Sequence, residues 1–315
     1  MMLGRIATVL LVLVVAGVVL PDALHAWTPA THIYLGQSVL ENLALLPAPV
    51  ADLLRAFPFD FLYGNIAADS SIAKNYAPVS RHCHHWHVGQ EIHDHAGNDA
   101  LRAFGLGYLS HLSADVVAHN YFVPRQLALT SSTPSVGHAY WESRFEAHLG
   151  DSYAKQAKAV IKMDHSQADG LLDQIISPTI FSVRTNRRLF RGMVHLTETQ
   201  GWQTAFRVAR EQSRWDLQDG HVEDHMAWSF DLIVDMLTDQ NRVARELDPA
   251  GHQSLRQAKE LRRQYQRIGG RPNGVSLTEA VTDEFGLPAD PLGHWQESSK
   301  VRPWQESVAT HGVTP

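Results

Sequence analysis

The chain contains 315 residues, of which 44% are hydrophobic and 19% are charged. This length and balance allow a sizeable buried core and exclude both a disordered chain and a coiled coil. The formal net charge of −6 argues against a nucleic-acid partner held by bulk positive charge, so no stable nucleic-acid complex is expected. The single cysteine, Cys83, excludes an intrachain disulfide framework and a cysteine-only zinc site.

Residues 1–26 have the pattern of a secretory signal peptide. Arg5 precedes an apolar run of 15 residues at positions 6–20, and Ala26 supplies a small residue before a cleavage point. The run is shorter than the roughly 20 residues that span a bilayer, although a retained anchor is the alternative. We expect cleavage after Ala26 and an exported protein, either periplasmic or secreted.

The rest of the chain has helical spacing of apolar residues and no alternating strand pattern, phosphate-binding glycine loop or internal repeat. We therefore predict an all-α protein with a single multi-helix domain over residues 27–270. The stretch 57–80 indicates a loop, and residues 271–315, rich in Gly, Pro and polar groups, predict a loosely ordered tail. The predicted helices span about 31–46, 86–95, 99–120, 138–149, 152–173, 186–215, 222–246 and 252–268.

Histidine is the unusual residue of this sequence, with 19 copies, thirteen of them in the first 165 residues. Neutral imidazole is the commonest metal-binding side chain, so the N-terminal half is where metal chemistry is expected. Within the predicted helix 99–120, His111, Asp115 and His119 follow one another at intervals of four and form one stripe among apolar neighbours. Gly105 and Gly107 would let another helix pack closely against it.

A buried stripe of three ionisable groups requires a compensating partner, because an unpaired buried charge costs several kcal/mol. His111 and His119 are about 12 Å apart along the helix axis, whereas zinc–ligand bonds are only about 2 Å long. The two histidines cannot easily share one ion, but Asp115 lies midway and has two oxygens. The stripe predicts one wall of a cluster with more than one metal. The alternatives are a hydrogen-bonded polar stripe and a histidine pair at a contact between two helices.

Several further candidates are weak individually. His138 and Glu142 form a pair one helical turn apart, and Asp69 lies in an apolar-flanked segment. The tract RHCHHWH contains His82, His84, His85 and His87, with Cys83 expected to be either buried or close to a metal.

The N-terminus of the processed chain is another candidate. If cleavage exposes Trp27, its α-amino group and carbonyl oxygen can chelate a metal, and His32 lies five residues on. His221 and His225 are a possible second site, although a solvated helix N-terminus explains that pair better.

The order of these elements resembles the zinc-dependent phospholipase C family. Its superfamily includes the S1/P1-type nucleases and the catalytic region of glycosylphosphatidylinositol-specific phospholipase D. The resemblance covers residues 27–150, and the stretch GYLSHLSADVVAHNYFVP is its most specific part. The phrase THIYLG and the short spacing from Asp115 to His119 look most like the phospholipase D member.

The resemblance implies a fold of the phospholipase C/P1 nuclease type and three zinc ions, with Asp115 bridging two of them. His84 is favoured as a ligand because Trp86 follows it by two residues, and His85 is the runner-up. Asp69 would be both a ligand and the candidate general base. The implied ligand groups are Asp69, His84, His111 and Asp115 for the first ion, His119, His138 and Glu142 for the second, and Trp27, His32 and Asp115 for the third.

The activity implied is that of an exported phosphodiesterase. It would be a phospholipase C that uses metal-activated water on the glycerol-side phosphodiester of a phospholipid at a membrane surface. The alternatives are a single-strand nuclease of the S1/P1 type and an exported zinc-binding protein without turnover. Four aromatic residues would lie at the lip of the site or else in the core: Phe57, Phe59, Phe61 and Tyr63. The sequence indicates no protein partner.

Overall fold

The computed structural model describes residues 27–71, 77–78, 81–130, 134–197, 208, 213, 215–239, 244–269, 271–299 and 301–305, which contain no β-strand. This confirms the all-α prediction. The predicted signal peptide, 1–26, lies outside the described residues. Within them, no helix combines the length and the apolar character needed to cross a bilayer.

The α-helices are numbered in chain order. They are α1 (Pro29–Glu41), α2 (Ala48–Ala56), α3 (Pro58–Ala67), α4 (Trp86–Asp94), α5 (Asp99–Val117), α6 (Val123–Thr130), α7 (Pro134–Glu146), α8 (Asp151–Ile161), α9 (Ser166–Ile175), α10 (Val183–Thr197), α11 (Asp219–Asp239), α12 (His252–Ile268), α13 (Leu277–Phe285) and α14 (His294–Glu297). The 3-10 turns are Leu43–Leu45, Ala68–Ser70, Ala244–Glu246 and Pro272–Gly274, and Ala118–Phe122 is a π-helical turn.

Helix α5 is the centre of the fold. The Asn98 side chain caps its N-terminus by accepting a hydrogen bond from the Leu101 N–H at 2.9 Å. Every residue from Ala103 to Val117 is buried, and the helix packs against α3, α4 and α11. Any ionisable side chain on this part of α5 is therefore surrounded by other helices rather than by water.

Glycines allow α5 to approach its neighbours at backbone distance, as the sequence predicted. A Cβ atom at Gly107 would lie 2.1 Å from the Phe61 carbonyl oxygen, and one at Gly64 would lie 2.1 Å from the Phe104 carbonyl oxygen. A Cβ at Gly105 would lie 2.8 Å from the Cα of His93 on α4. The contact between α3 and α5 is thus set by the absence of side chains on both helices.

The prediction of a loop at 57–80 is wrong for its first part, where α3 lies. Pro58 occupies the first turn of α3, where its missing N–H costs nothing. The helix is buried almost all round and therefore lacks the one-sided apolar pattern of a surface helix. Phe61 and Tyr63 are core residues rather than lip residues, whereas Phe59 is 51% exposed.

Three other predicted helices have different bounds. The segment 152–173 forms two helices, α8 and α9, and Asp164 helps to begin the second by accepting from the Ser166 N–H at 2.9 Å. The helix predicted at 99–120 is α-helical only to Val117, because the π-helical turn follows. Helix α7 begins at Pro134, four residues earlier than predicted.

The predicted loose tail packs against the core over its described part. Trp295 and Trp304 are buried, and both indole N–H groups donate to the Glu223 carboxylate on α11, at 2.7 and 2.6 Å. The guanidinium of Arg302 lies 2.9 Å from the same carboxylate. The composition of the segment is polar on average, so it gives no sign that these few aromatic residues anchor it to the core. Residues 306–315 lie outside the description.

The close packing of α3 and α5 can be tested by adding one methyl group. Gly107→Ala should lower the free energy of unfolding by roughly 3 kcal/mol, since its Cβ would meet the Phe61 backbone. Gly170→Ala, on α9, is the matched control, because no heavy atom lies within 4 Å of its Cβ position. That change should raise stability by about 0.5–1 kcal/mol. Urea unfolding measures both, and equal effects would contradict the packing.

Candidate metal centre

Three imidazoles converge on the Asp115 carboxylate in the middle of the protein, and Asp69 contacts one of them. Asp115 Oδ1 lies 3.3 Å from His32 Nε2, and Asp115 Oδ2 lies 3.0 Å from His84 Nε2 and 3.2 Å from His111 Nε2. Asp69 Oδ1 lies 3.3 Å from His84 Nε2. All five side chains are at most 1% exposed. The tertiary structure therefore brings together residues from α1, the Ala68–Ser70 turn, the segment before α4, and α5.

A second group adjoins the first through His119. His138 Nε2 on α7 lies 2.7 Å from Glu142 Oε1, and the His138 ring centroid is 5.3 Å from that of His119. The His119 ring centroid is 6.4 Å from that of His84. Eight of the nine predicted ligands thus form one continuous set of neighbouring side chains.

The π-helical turn changes the position of His119 relative to the predicted straight stripe. His119 Nδ1 is 4.0 Å from Asp115 Oδ2, further than the His111 contact made on the other side of Asp115. π-turns insert an extra residue into a helix and are frequent at functional sites. The His119 ring lies 5.3 Å from that of His138, the neighbour that the family resemblance implies for it.

Trp27, the ninth predicted ligand, lies beside the same turn of α5. Its buried indole N–H donates to the Ala114 carbonyl at 3.0 Å, and its ring packs against Phe122 and Phe145. The side chain is therefore a core aromatic next to Asp115. Chelation by its amine depends on processing of residues 1–26, which lie outside the description, and stays a prediction.

The histidine tract divides into two groups. The His84 imidazole points into the centre, whereas the His85 ring lies near those of His82 and His87, at 5.1 and 5.5 Å between centroids. His82 Nδ1 accepts from the His84 backbone N–H at 3.1 Å and so helps to fix the His84 backbone. The geometry groups His84, and not its runner-up His85, with the other candidate ligands.

Outer partners orient the imidazoles. His111 Nδ1 donates to the Asn65 carbonyl at 2.8 Å, and His119 Nδ1 donates to the Pro249 carbonyl. Such bonds fix the ring so that Nε2 is left for a metal. Cys83 is buried and its Sγ lies 3.2 Å from His84 Nδ1, so it is both buried and adjacent to the centre. Sequence reasoning missed Asn65 and Pro249, since backbone carbonyls have no residue-type signature.

Several buried atoms at the centre lack a hydrogen bond with the described residues. They are both Asp115 oxygens, both His32 ring nitrogens, His138 Nε2 and Glu142 Oε1. The Asp115 oxygens, His32 Nε2, His138 Nε2 and Glu142 Oε1 have contacts within ion-pair distance, but these contacts do not have hydrogen-bond geometry. Leaving one buried polar group unpartnered costs about 1–3 kcal/mol. Converging imidazole nitrogens and carboxylate oxygens are the donors that Zn²⁺ takes, so the residues present fit zinc.

The electrostatics of the centre suit a cation. Burial lowers the pKa of His32 to about 4 and that of His119 to about 3, so both rings are neutral at pH 7. Burial alone raises the pKa of Asp115, but the imidazoles of His111, His32 and His84 outweigh it and hold that pKa well below its usual range. Burial raises the pKa of Glu142 to about 7, against the opposing effect of His138.

Residues 31–180 match the family model described as zinc dependent phospholipase C. Over these residues the chain is similar to the zinc-dependent phospholipase C family. The matched region contains every candidate ligand except Trp27. The match therefore agrees with the buried imidazole–carboxylate cluster, whose donors could hold zinc. No curated protein and no solved structure gives a significant match to the chain.

The pair His221 and His225 does not have the arrangement of a second metal site. His225 Nδ1 bonds the His221 backbone carbonyl at 2.6 Å, which ties the ring to its own helix, α11. Its ring packs edge-on against Phe122, with 5.2 Å between centroids. Burial lowers the pKa of His225 to about 4, so this histidine is a neutral core residue.

His84 and His85 provide a matched test of the ligand assignment. His84→Ala should lower the zinc content by at least one ion per chain, because it removes an imidazole in contact with Asp69 and Asp115. His85→Ala should leave the zinc content unchanged. Elemental analysis of the two purified variants makes the comparison. Zinc loss in the His85 variant alone would favour the runner-up.

His225 predicts a pH dependence of stability. Its pKa is about 4 when folded and 6.5 when exposed, so the unfolded chain binds the extra proton first as the pH falls. The stability that the buried, neutral His225 ring contributes is fully present above about pH 6.5 and is lost as the pH falls toward 4. Between pH 7 and pH 5, the free energy of unfolding should fall by roughly 2 kcal/mol less in His225→Gln than in the wild type. Denaturant unfolding of both chains at each pH measures it, and parallel curves would contradict it.

Proposed function

We propose that this protein is an exported zinc-dependent phospholipase C. It would hydrolyse the glycerol-side phosphodiester of a phospholipid and release diacylglycerol and a phosphorylated head group. The observation that carries the proposal is the buried set of imidazoles and carboxylates around Asp115 within the family-matched region. The signal-peptide pattern of residues 1–26 supports export.

We further propose that the centre holds three zinc ions in the ligand groups implied by the resemblance, with Asp115 shared between two groups. The contacts of Asp115 with His84 and His111 on one oxygen and with His32 on the other support this sharing. When bound, zinc supplies positive charge against the phosphodiester and lowers the pKa of water toward about 7.

The residues of the chain would divide the remaining tasks. Asp69 is the candidate general base, since its buried carboxylate at the edge of the cluster can accept a proton at Oδ1 or Oδ2. Asp115 stays ionised because its pKa is held low, and it balances cationic charge. The Asn65 and Pro249 carbonyls hold His111 and His119 in place.

The first experiment compares Asp115→Asn with a surface control. Asp115→Asn should abolish release of diacylglycerol from phosphatidylcholine and lower the zinc content, because it removes a carboxylate oxygen from the shared position. Asp94→Asn, at a residue 59% exposed on α4, should change neither. Product release and elemental zinc are measured on the same samples. Full activity of Asp115→Asn would disprove the shared role.

The same assay separates the alternatives. Asp69→Asn should reduce the rate by about 100-fold or more, beyond any loss of zinc, if Asp69 acts as the base. Single-stranded DNA is the second substrate. Hydrolysis of DNA but not phosphatidylcholine would indicate a nuclease, and zinc binding with neither activity would indicate a binding protein.

A further inference from the structure

Helix α12 carries a cationic face that the metal centre does not use. In a chain of net charge −6, this helix holds five cations and one carboxylate. Arg256, Lys259, Arg263 and Arg267 follow at intervals of three, four and four residues. At about 100° per residue, the four lie within about 80° of one another and extend along about 16 Å of the helix. We call this set the cationic stripe.

The stripe lies opposite the face that α12 packs against the protein. Ala258 is buried and Leu261 and Tyr265 are half-buried on the packed side, against α6 and its neighbours. All four members of the stripe are exposed, and none forms an ion pair or hydrogen bond with the described residues. One carboxylate, Glu260, lies at the edge of the stripe. The stripe therefore presents four cations in a common direction, with Glu260 as the one carboxylate of α12 beside them.

The N-terminus of α12 is fixed to the metal centre. Gly251, which precedes the helix with φ +58°, is so close to His119 that a Cβ there would lie 2.4 Å from the His119 carbonyl oxygen. Asn120 donates to the Asp248 carbonyl at 2.9 Å and accepts from the Ser254 hydroxyl at 2.8 Å. A surface that binds the stripe is thus held at a fixed orientation to the candidate active site.

We propose that the cationic stripe docks the protein on a bilayer that contains anionic lipids. This inference rests on the proposed function, because docking would present lipid head groups to the phospholipase C centre. Lys and Arg side chains near an anionic surface each strengthen binding. The stripe contains no aromatic residue on which nucleic-acid bases could stack, which favours a bilayer over single-stranded nucleic acid.

The test is co-sedimentation of the purified exported protein with vesicles. Vesicles of phosphatidylcholine alone are compared with vesicles that also contain about 30% phosphatidylglycerol. We expect tighter binding to the anionic vesicles, and we expect high salt to remove the difference. A variant with Arg256→Gln, Lys259→Gln, Arg263→Gln and Arg267→Gln should bind about 1,000-fold more weakly. Binding of the wild type to both vesicle types alike would overturn the proposal.

A second variant controls for net charge. Arg55→Gln, Arg102→Gln, Lys155→Gln and Lys162→Gln remove the same charge from exposed positions on other surfaces and should leave vesicle binding unchanged. If both variants weaken vesicle binding equally, the effect comes from the net charge of the protein and the proposal for the stripe is overturned. Binding of the wild type to single-stranded DNA instead of anionic vesicles would also overturn it.

Docking and catalysis can fail separately. A water-soluble, short-chain phosphodiester that forms no vesicle reports on the centre alone. The stripe variant should hydrolyse it at the wild-type rate but lose activity on anionic vesicles. If the wild type binds anionic vesicles through the stripe but hydrolyses neither substrate, the docking surface stands and the proposed function fails.

Discussion

The structure depends on one buried carboxylate and the imidazoles around it. Asp115 has no access to water, and both of its oxygens lack hydrogen bonds with the described residues. Its charge is tolerable only because His32, His84 and His111 direct ring nitrogens toward it from three different elements. Such an arrangement costs stability in a protein without a ligand and gains it when a cation occupies the centre. The fold is best understood as a scaffold for that cation.

Backbone contact between helices makes the centre possible. Gly64 and Gly107 allow α3 to lie directly against α5, and α3 leads into the turn that carries Asp69. The Asn65 carbonyl on α3 also orients His111 on α5. One tight helix pair thus positions a candidate ligand, a candidate base and an outer hydrogen-bond partner together. Side chains at the two glycines would separate all three.

Helix α3 and the packing of the described tail were both missed by sequence reasoning for the same reason. Helix α3 was predicted as a loop because it is apolar on nearly every side, and the segment after residue 270 was predicted as loose because its average composition is polar. The periodicity of apolar residues and the average composition indicate how a segment is exposed to water. They do not describe a helix enclosed by other helices, or a tail held by two buried indoles on a single carboxylate.

The sequence by itself determined the all-α class, the central helix and the order of the candidate ligands, because these depend on local spacing along the chain. The HxxxDxxxH pattern alone predicted that imidazole and carboxylate share one face of a helix. Only the tertiary structure decided that His84 rather than His85 points at Asp115, and that His119, within a π-helical turn, lies beside His138. Neighbouring histidines have the same composition and nearly the same position, and packing against distant helices decides which ring faces inward.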